Sequence, residues 1–465
     1  MIMQKAGTTE QVKPWERPGV LLGGCLLTCL LLVLAQTVGN GFLLLLVLIG
    51  CLLLAALACR QGLAIPVLLF FLPWSPLMKL APGRISFYTI GLLICCALAL
   101  AQDGMRLTVR QVVLAASLMA LTLTAKILQT GSITNDYLMF VFMLLLFPCV
   151  ARSCPRATSF RCATMFFACG IFSAAILARL VAHYPNISRY IIVESYLTVT
   201  RLSGFYGDPN FYSAHVAACL AGVLVLLSRE TEKRRQILLA AVSVALLYCG
   251  LLSASKTFVL TVACLFLFWL PILLERGNYE SARTRLLFGV LCAVAFVLVS
   301  PAFRQVIRII GARFTEGEGL AGLTTNRTTL WLQYLTAFVH DIPLTLFGAG
   351  YTSVNLFRKA SHNTLIQAVY QFGILGIPLL LVWMWNMLAD MFPESDKPLA
   401  GWKYTVLLCV GSFLPWMALG ILQYDEFFLL PVYVLLGAAH VAAGIHRRNP
   451  PNPMKMPTKA LHNHS

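Results

Sequence analysis

Arg201, Lys256, Arg327, Arg358 and His362 stand in stretches that adjoin long hydrophobic runs and hold few carboxylates. A guanidinium takes phosphate oxygens two at a time, and an ammonium acts as a point charge. An imidazole titrates close to neutrality and can accept a proton from a hydroxyl. Together these residue types suit one task, which is to hold a phosphate-rich anion while a proton is removed beside it. The stretch RLSGFYGDPNFYSAH (201–215) adds Asp208, Asn210 and His215. Asp followed by Pro is a good helix start, with the carboxylate capping free N–H groups and proline at the first helical position. His215 falls about a turn and a half into the helix that follows, a depth at which ionisable groups face a cavity or a partner.

The stretch LLSASKTFVL (251–260) flanks Lys256 with Ser253, Ser255 and Thr257. This is either a small anion site or a lysine that extends to lipid headgroups. In RKASHNTLIQAVYQFGILG (358–376), Ser361 is placed to cap a helix, and Asn363, Gln367 and Gln371 follow four apart. That spacing puts the three amides on one face, with Gln371 ~12 Å along the axis from Asn363. A polar stripe at such depth predicts a face turned away from lipid. Between these stretches, NRTTLWLQYLTAFVH (326–340) reads as a helix capped by Asn326 with Arg327 in its first turn. AFRQVIRIIGARF (302–314), with Arg304 and Arg308 four apart against Ile and Val, reads as a helix lying in a membrane interface.

The elements that must position these residues are membrane spans. Of 465 residues, 59% are hydrophobic and 11% charged, and the mean hydropathy is +0.80. A soluble chain of this length needs more polar surface. Runs near 20 residues predict an all-α, polytopic transmembrane helix bundle of about fourteen spans (12–14). Their limits are near 20–38, 41–58, 63–80, 86–101, 111–129, 137–151, 160–183, 209–228, 236–253, 256–274, 285–301, 364–389, 404–422 and 427–445. Residues 1–445 form a single membrane domain with a long loop at about 302–361, and 446–465 form a basic, Pro-rich, disordered tail. The first apolar run has no small-residue cleavage site and is taken as a retained span.

The formal net charge of +17 fits positive-inside bias and anionic headgroups, with no nucleic-acid motif beside it. With both termini in the cytoplasm, every inner loop is basic. Several of the cations left over sit in three outer segments, 184–208, 253–257 and 302–361, against the topology rule. An anionic substrate at the outer surface gives a reason to keep them there. The 15 cysteines lie mostly inside apolar runs without metal-ligand spacing and read as small apolar residues. No metal-ligand pattern and no nucleotide-binding glycine motif is present, so neither metal nor nucleotide cofactor is expected.

Four stretches, in order, resemble the O-antigen ligase/polymerase family of bacterial envelope glycosyltransferases. They are RLSGFYGDPNFYSAH, LSASKTFVL, NRTTLWLQYLTAFVHDIPLTLFGAG and SHNTLIQAVYQFGILG, covering about 201–376. Before that region the chain is similar only in being apolar spans. Members often carry Glu before the glycine of the last motif, where this chain has Gln371. The resemblance implies an enzyme of the bacterial inner membrane, its site facing the periplasm or cell exterior. Its donor would be an undecaprenyl-diphosphate-linked oligosaccharide, and its acceptor a sugar hydroxyl of a glycan or glycolipid. Arg201, Lys256, Arg327 and Arg358 would bind the diphosphate, with His362 and Arg327 catalytic. Asp208, Asn210, His215, Asn363, Gln367 and Gln371 would support them. A repeat-unit polymerase working with other glycan-assembly proteins is the preferred expectation, with a ligase as the alternative. A flippase of lipid-linked glycan is the rival from another class. It would favour internal repeats, and the 201–376 motifs have no second copy.

Overall fold

The structure, a computed structural model, describes residues 18–81, 85–104, 107–131, 133–153, 159–188, 190–191, 195–196, 199–274, 327–352, 356–357, 361–389, 401–417, 419 and 424–448, with isolated residues between 304 and 312. The long spans begin with α1 (Pro18–Val38) and α2 (Gly41–Arg60). Asn40 separates them and caps α2 by accepting from the N–H groups of Phe42 and Leu43. Next come α3 (Ala64–Phe71), α4 (Phe87–Asp103), α5 (Val109–Thr130), α6 (Asn135–Ser153), α7 (Phe160–Val181) and the short α8 (Pro185–Ser188). Thr108 and Gln111 form a reciprocal capping box at the start of α5. Two two-residue antiparallel strands, Ser195–Tyr196 and Val199–Thr200, precede α9 (Pro209–Arg229), α10 (Lys233–Leu251) and α11 (Lys256–Leu274). The remainder is α12 (Arg327–His340), α13 (Ile342–Phe347), α14 (Thr364–Ala389), α15 (Trp402–Met417) and α16 (Tyr424–Arg448).

Among the described residues, nine helices are long and apolar enough to cross a membrane, so the chain is an all-α, multi-pass membrane protein. The expected span at 63–80 is much shorter than anticipated. Proline ends α3 early, and the chain continues as a 3₁₀ turn, Leu72–Trp74. The eleven-residue unit Ala64–Trp74 rises ~16 Å, about half the hydrocarbon thickness, and is buried throughout. It is clamped to α7, where Trp74 Nε1 donates to the Gly170 carbonyl at 3.2 Å. A Cβ on Gly170 would lie 2.1 Å from the Phe70 carbonyl oxygen, so glycine is what permits that approach. The expected spans at 86–101 and 404–422 appear as helices of 17 and 16 residues, shorter than the nine, and that at 137–151 as the 19-residue α6 with Pro148 inside it. The one at 285–301 lies outside the described residues, as do most of the predicted interfacial helix at 302–314 and the tail beyond 448.

Helix α9 is the centre of the bundle, packed by α7, α10, α11, α15 and α16. Its span is buried from end to end. A helix apolar on all sides belongs in such a place. Small residues set the closest crossings. Gly411 of α15 sits against Ala217 and Ala221, and Gly222 sits against the Tyr433 hydroxyl of α16. The consequence is positional, because anything at the N-terminus of α9 is fixed by the most completely buried span among the described residues.

Candidate functional site

The predicted cap at the start of α9 is present. Asp208 is the N-cap, Pro209 is the first helical residue, and the Asp208 carboxylate accepts from the Asn210 N–H at 2.8 Å. The Asn210 side chain then links two stretches. Its Nδ2 donates to Asp208 at 2.8 Å, while its Oδ1 accepts from the Ser255 hydroxyl at 2.8 Å. Arg201 is buried and its Nε donates to the Ser253 carbonyl at 2.8 Å. The neighbouring Leu202 N–H donates to the Leu252 carbonyl at 2.9 Å. The turn before Lys256 is therefore bound to both ends of the 201–210 stretch. Lys256 itself is the first residue of α11 and is half-buried. The flanking hydroxyls do not form an open anion site, since Ser253 donates to the Gly250 carbonyl and Ser255 to Asn210.

The third and fourth stretches meet the first at Asp208. Arg327, the first residue of α12, and His362, just before α14, are both half-buried and both feel the Asp208 carboxylate. Burial, and then the Arg327 guanidinium, hold the His362 imidazole below its ordinary range. Asp208 and a hydrogen bond with the Leu419 backbone oppose this. Burial also lowers Arg327, again against Asp208. A neutral imidazole beside a guanidinium is ready to take a proton where negative charge is held. The backbone adds a further sign. Among the described residues, only Ala254 and His362 are non-glycine residues with positive φ, at 49° and 50°. Both border this cluster, and such conformations persist where the surroundings impose them.

Ser361 and Asn363 hold His362 from either side. The Trp331 indole of α12 donates to the Ser361 carbonyl at 2.8 Å. The buried Ser361 hydroxyl donates to Gln367 Oε1 at 3.1 Å and to the Asn363 carbonyl at 2.9 Å. The helix cap expected of Ser361 belongs to Asn363, whose Oδ1 accepts from the N–H groups of Leu365 and Ile366 at 2.9 and 3.3 Å. Asn363 sits at the true turn into the helix, one residue past the strained histidine, and Ser361 is committed elsewhere. The amide stripe is buried, with Gln367 and Gln371 1% and 2% exposed, so neither faces lipid. Its polarity serves the return loop, since Gln371 Nε2 donates to the Thr352 carbonyl at 2.9 Å.

Helix α14 breaks just below this stripe. Gly373 has φ 66° and ψ 173° inside it. A Cβ there would lie 2.3 Å from the Leu346 carbonyl oxygen, and one on Gly348 would lie 2.6 Å from the Gly373 nitrogen. The end of α13 thus rests backbone to backbone on the break, and the Ala349 N–H donates to the Tyr370 carbonyl at 2.7 Å.

His215 sits away from the Asp208 contacts. Less than two turns into α9 and fully buried, it stands 3.5 Å from Glu426 through Nε2, among Tyr206, Trp416 and Phe167. Glu426 accepts from the Tyr206 hydroxyl at 2.9 Å, and Asp425 from the Thr89 hydroxyl at 3.1 Å. This inner cluster was not anticipated as a unit. Two adjacent acids opening an apolar helix, together with one histidine inside another, were the available signal. Arg358 and the Asn326 cap lie outside the described residues. No family model matches the chain, and no curated protein matches it.

Proposed function

We propose that this protein is a glycosyltransferase acting at the extracytoplasmic face of a bacterial inner membrane, on a polyprenyl-diphosphate-linked glycan. The observation that carries this reading is the convergence of Arg201, Lys256, Arg327 and His362 around the start of α9, with Asp208 the carboxylate among them. In the reaction, an acceptor sugar hydroxyl attacks the anomeric carbon of the donor. A C–O glycosidic bond forms, and the bond from the anomeric carbon to the diphosphate breaks. The hydroxyl proton goes to the His362 imidazole, and the leaving diphosphate takes the cationic groups. Arg201 and Arg327 are the bidentate partners, with Lys256 the point charge. Both termini lie in the cytoplasm, and about fourteen spans make this arrangement consistent with basic inner loops.

A repeat-unit polymerase is the preferred form, with transfer to a terminal lipid or core acceptor the second. The test is turnover of lipid-linked donor by purified protein, wild type against His362→Asn. Asparagine is tolerated at positive φ, so this variant removes the base and keeps the backbone. Longer glycan ladders identify a polymerase, a single transfer a ligase, and relocation without new bonds a flippase. Wild-type turnover by the variant removes His362 from the mechanism.

A further inference from the structure

Helix α12 has three sides of different character. Tyr334 and Phe338 point inward, onto Leu344, Ala349 and Tyr370. The exposed half divides lengthwise. Leu332, Leu335 and Val339 form one strip, 65%, 51% and 76% exposed, and Thr329, Gln333, Thr336 and His340 form the strip beside it. The apolar strip continues across the tight turn at Asp341 onto Ile342 and Leu346 of α13. An apolar strip beside a polar one is the pattern of a helix lying in a membrane surface.

Continuity says what covers the strip. Helix α13 packs on α5 and α14, two of the membrane-crossing helices. Its end rests on Gly373, nine residues or ~13 Å into α14 at 1.5 Å per residue. Leu365 and Ile374 of α14 and Ile127 and Leu128 of α5 are exposed apolar residues on these neighbours. The tip of α13 is therefore below the membrane surface.

We infer that α12 and α13 form a re-entrant hairpin whose Leu332–Leu335–Val339 strip is immersed in the acyl chains of the leaflet on the side where His362 opens, with Gln333 and Thr336 at headgroup level. The hairpin fixes depth. Arg327 begins α12, and Trp331 holds the Ser361 carbonyl next to His362, so immersion sets both side chains at the height of lipid phosphates. That consequence rests on the function proposed above, while the immersion stands without it.

The test uses the full chain in phospholipid nanodiscs. A nitroxide is carried on a genetically encoded keto amino acid at position 335, 339, 333 or 336 in turn, which leaves the native cysteines in place. Positions 335 and 339 should favour collision with oxygen over a water-soluble nickel chelate, and the neighbours 333 and 336 should reverse that ratio. Nickel dominance at all four positions overturns the inference. So does spin–spin broadening at 335, which would mean a second copy covers the strip. In unsubstituted protein, a phospholipid with an acyl-chain diazirine should label Leu335 and Val339 as it labels the exposed Leu381 of α14. Labelling at Leu381 alone also overturns it. Neither readout needs substrate, so it can fail while donor turnover succeeds, and the reverse.

Discussion

Two ionisable clusters share one helix, two turns apart. The outer one surrounds Asp208 at the start of α9 and sets the Arg327 guanidinium and the His362 imidazole about that carboxylate. The inner one surrounds His215 and sets the Glu426 carboxyl group and the Tyr206 ring about one imidazole, with the adjacent Asp425 held by Thr89. The outer cluster is half-buried at Arg327, Lys256 and His362, with strained backbone on two sides. The inner one is closed by aromatic rings, with His215, Asp425 and Glu426 buried and Tyr206 half-buried. A partly open group with surplus cations is suited to an anion that comes and goes. A group enclosed by rings from several elements is suited to holding helices together, here α9, α16 and the 3₁₀ turn whose Leu72 carbonyl accepts from Tyr206.

The largest effect tests the outer side of this contrast. His362→Asn should lower turnover of lipid-linked donor by about 10²–10⁴-fold, the usual range for a general base, with thermal unfolding unchanged. Arg327→Gln should lower it by about 10²–10³-fold, as the loss of one charge-stabilising donor does. It should also move the pH–rate profile. The neutral imidazole carries the rate, so activity is present above the His362 pKa and lost as pH falls through it, below the ordinary histidine range. Removing the Arg327 charge raises that pKa and moves the acid limb up, whereas Asp208→Asn moves it down. Profiles of kcat/KM against pH for the two variants should therefore shift in opposite directions.

The inner side predicts stability effects. Glu426→Leu removes the carboxyl group beside His215 and one of the Tyr206 hydroxyl's acceptors, leaving the Leu72 carbonyl, and should cost about 1–3 kcal/mol in unfolding, with pyrophosphate affinity unchanged. If that variant instead loses affinity at an unchanged melting temperature, the two clusters act as one and the contrast fails. Ser361→Ala is the smallest change. It should cost about 1 kcal/mol and a few-fold in turnover, by releasing the hydrogen bonds that hold the histidine from its N-terminal side.

Much of the outer cluster was legible in the sequence, for local reasons. Asp-Pro announces a cap, and cations beside apolar runs stand out. The direction of the amide stripe was equally readable, since Gln367 and Gln371 share a helical face. Its use was not, because Gln371 bonds to Thr352, nineteen residues earlier, across a return loop that no local pattern specifies. The inner pair was harder still. His215 and Glu426 are brought together by packing of α9 on α16, and nothing within either segment encodes the other. The shortening of the 63–80 element was half visible, since three prolines stood in it, but the burial of what remains depends on Gly170.

The burial of α9 also bears on how the protein is made. A helix with no side left for lipid has no resting place of its own in a membrane during synthesis. Its partners α7 and α10 emerge close to it in time, but α15 and α16 follow nearly two hundred residues later. Until they arrive, Gly222 and the Ala217–Ala221 groove face whatever is nearby, and His215 lacks its carboxyl partner. Chains interrupted before Trp402 should thus be degraded rather than accumulate, which makes completion of the last two helices a checkpoint for the whole bundle.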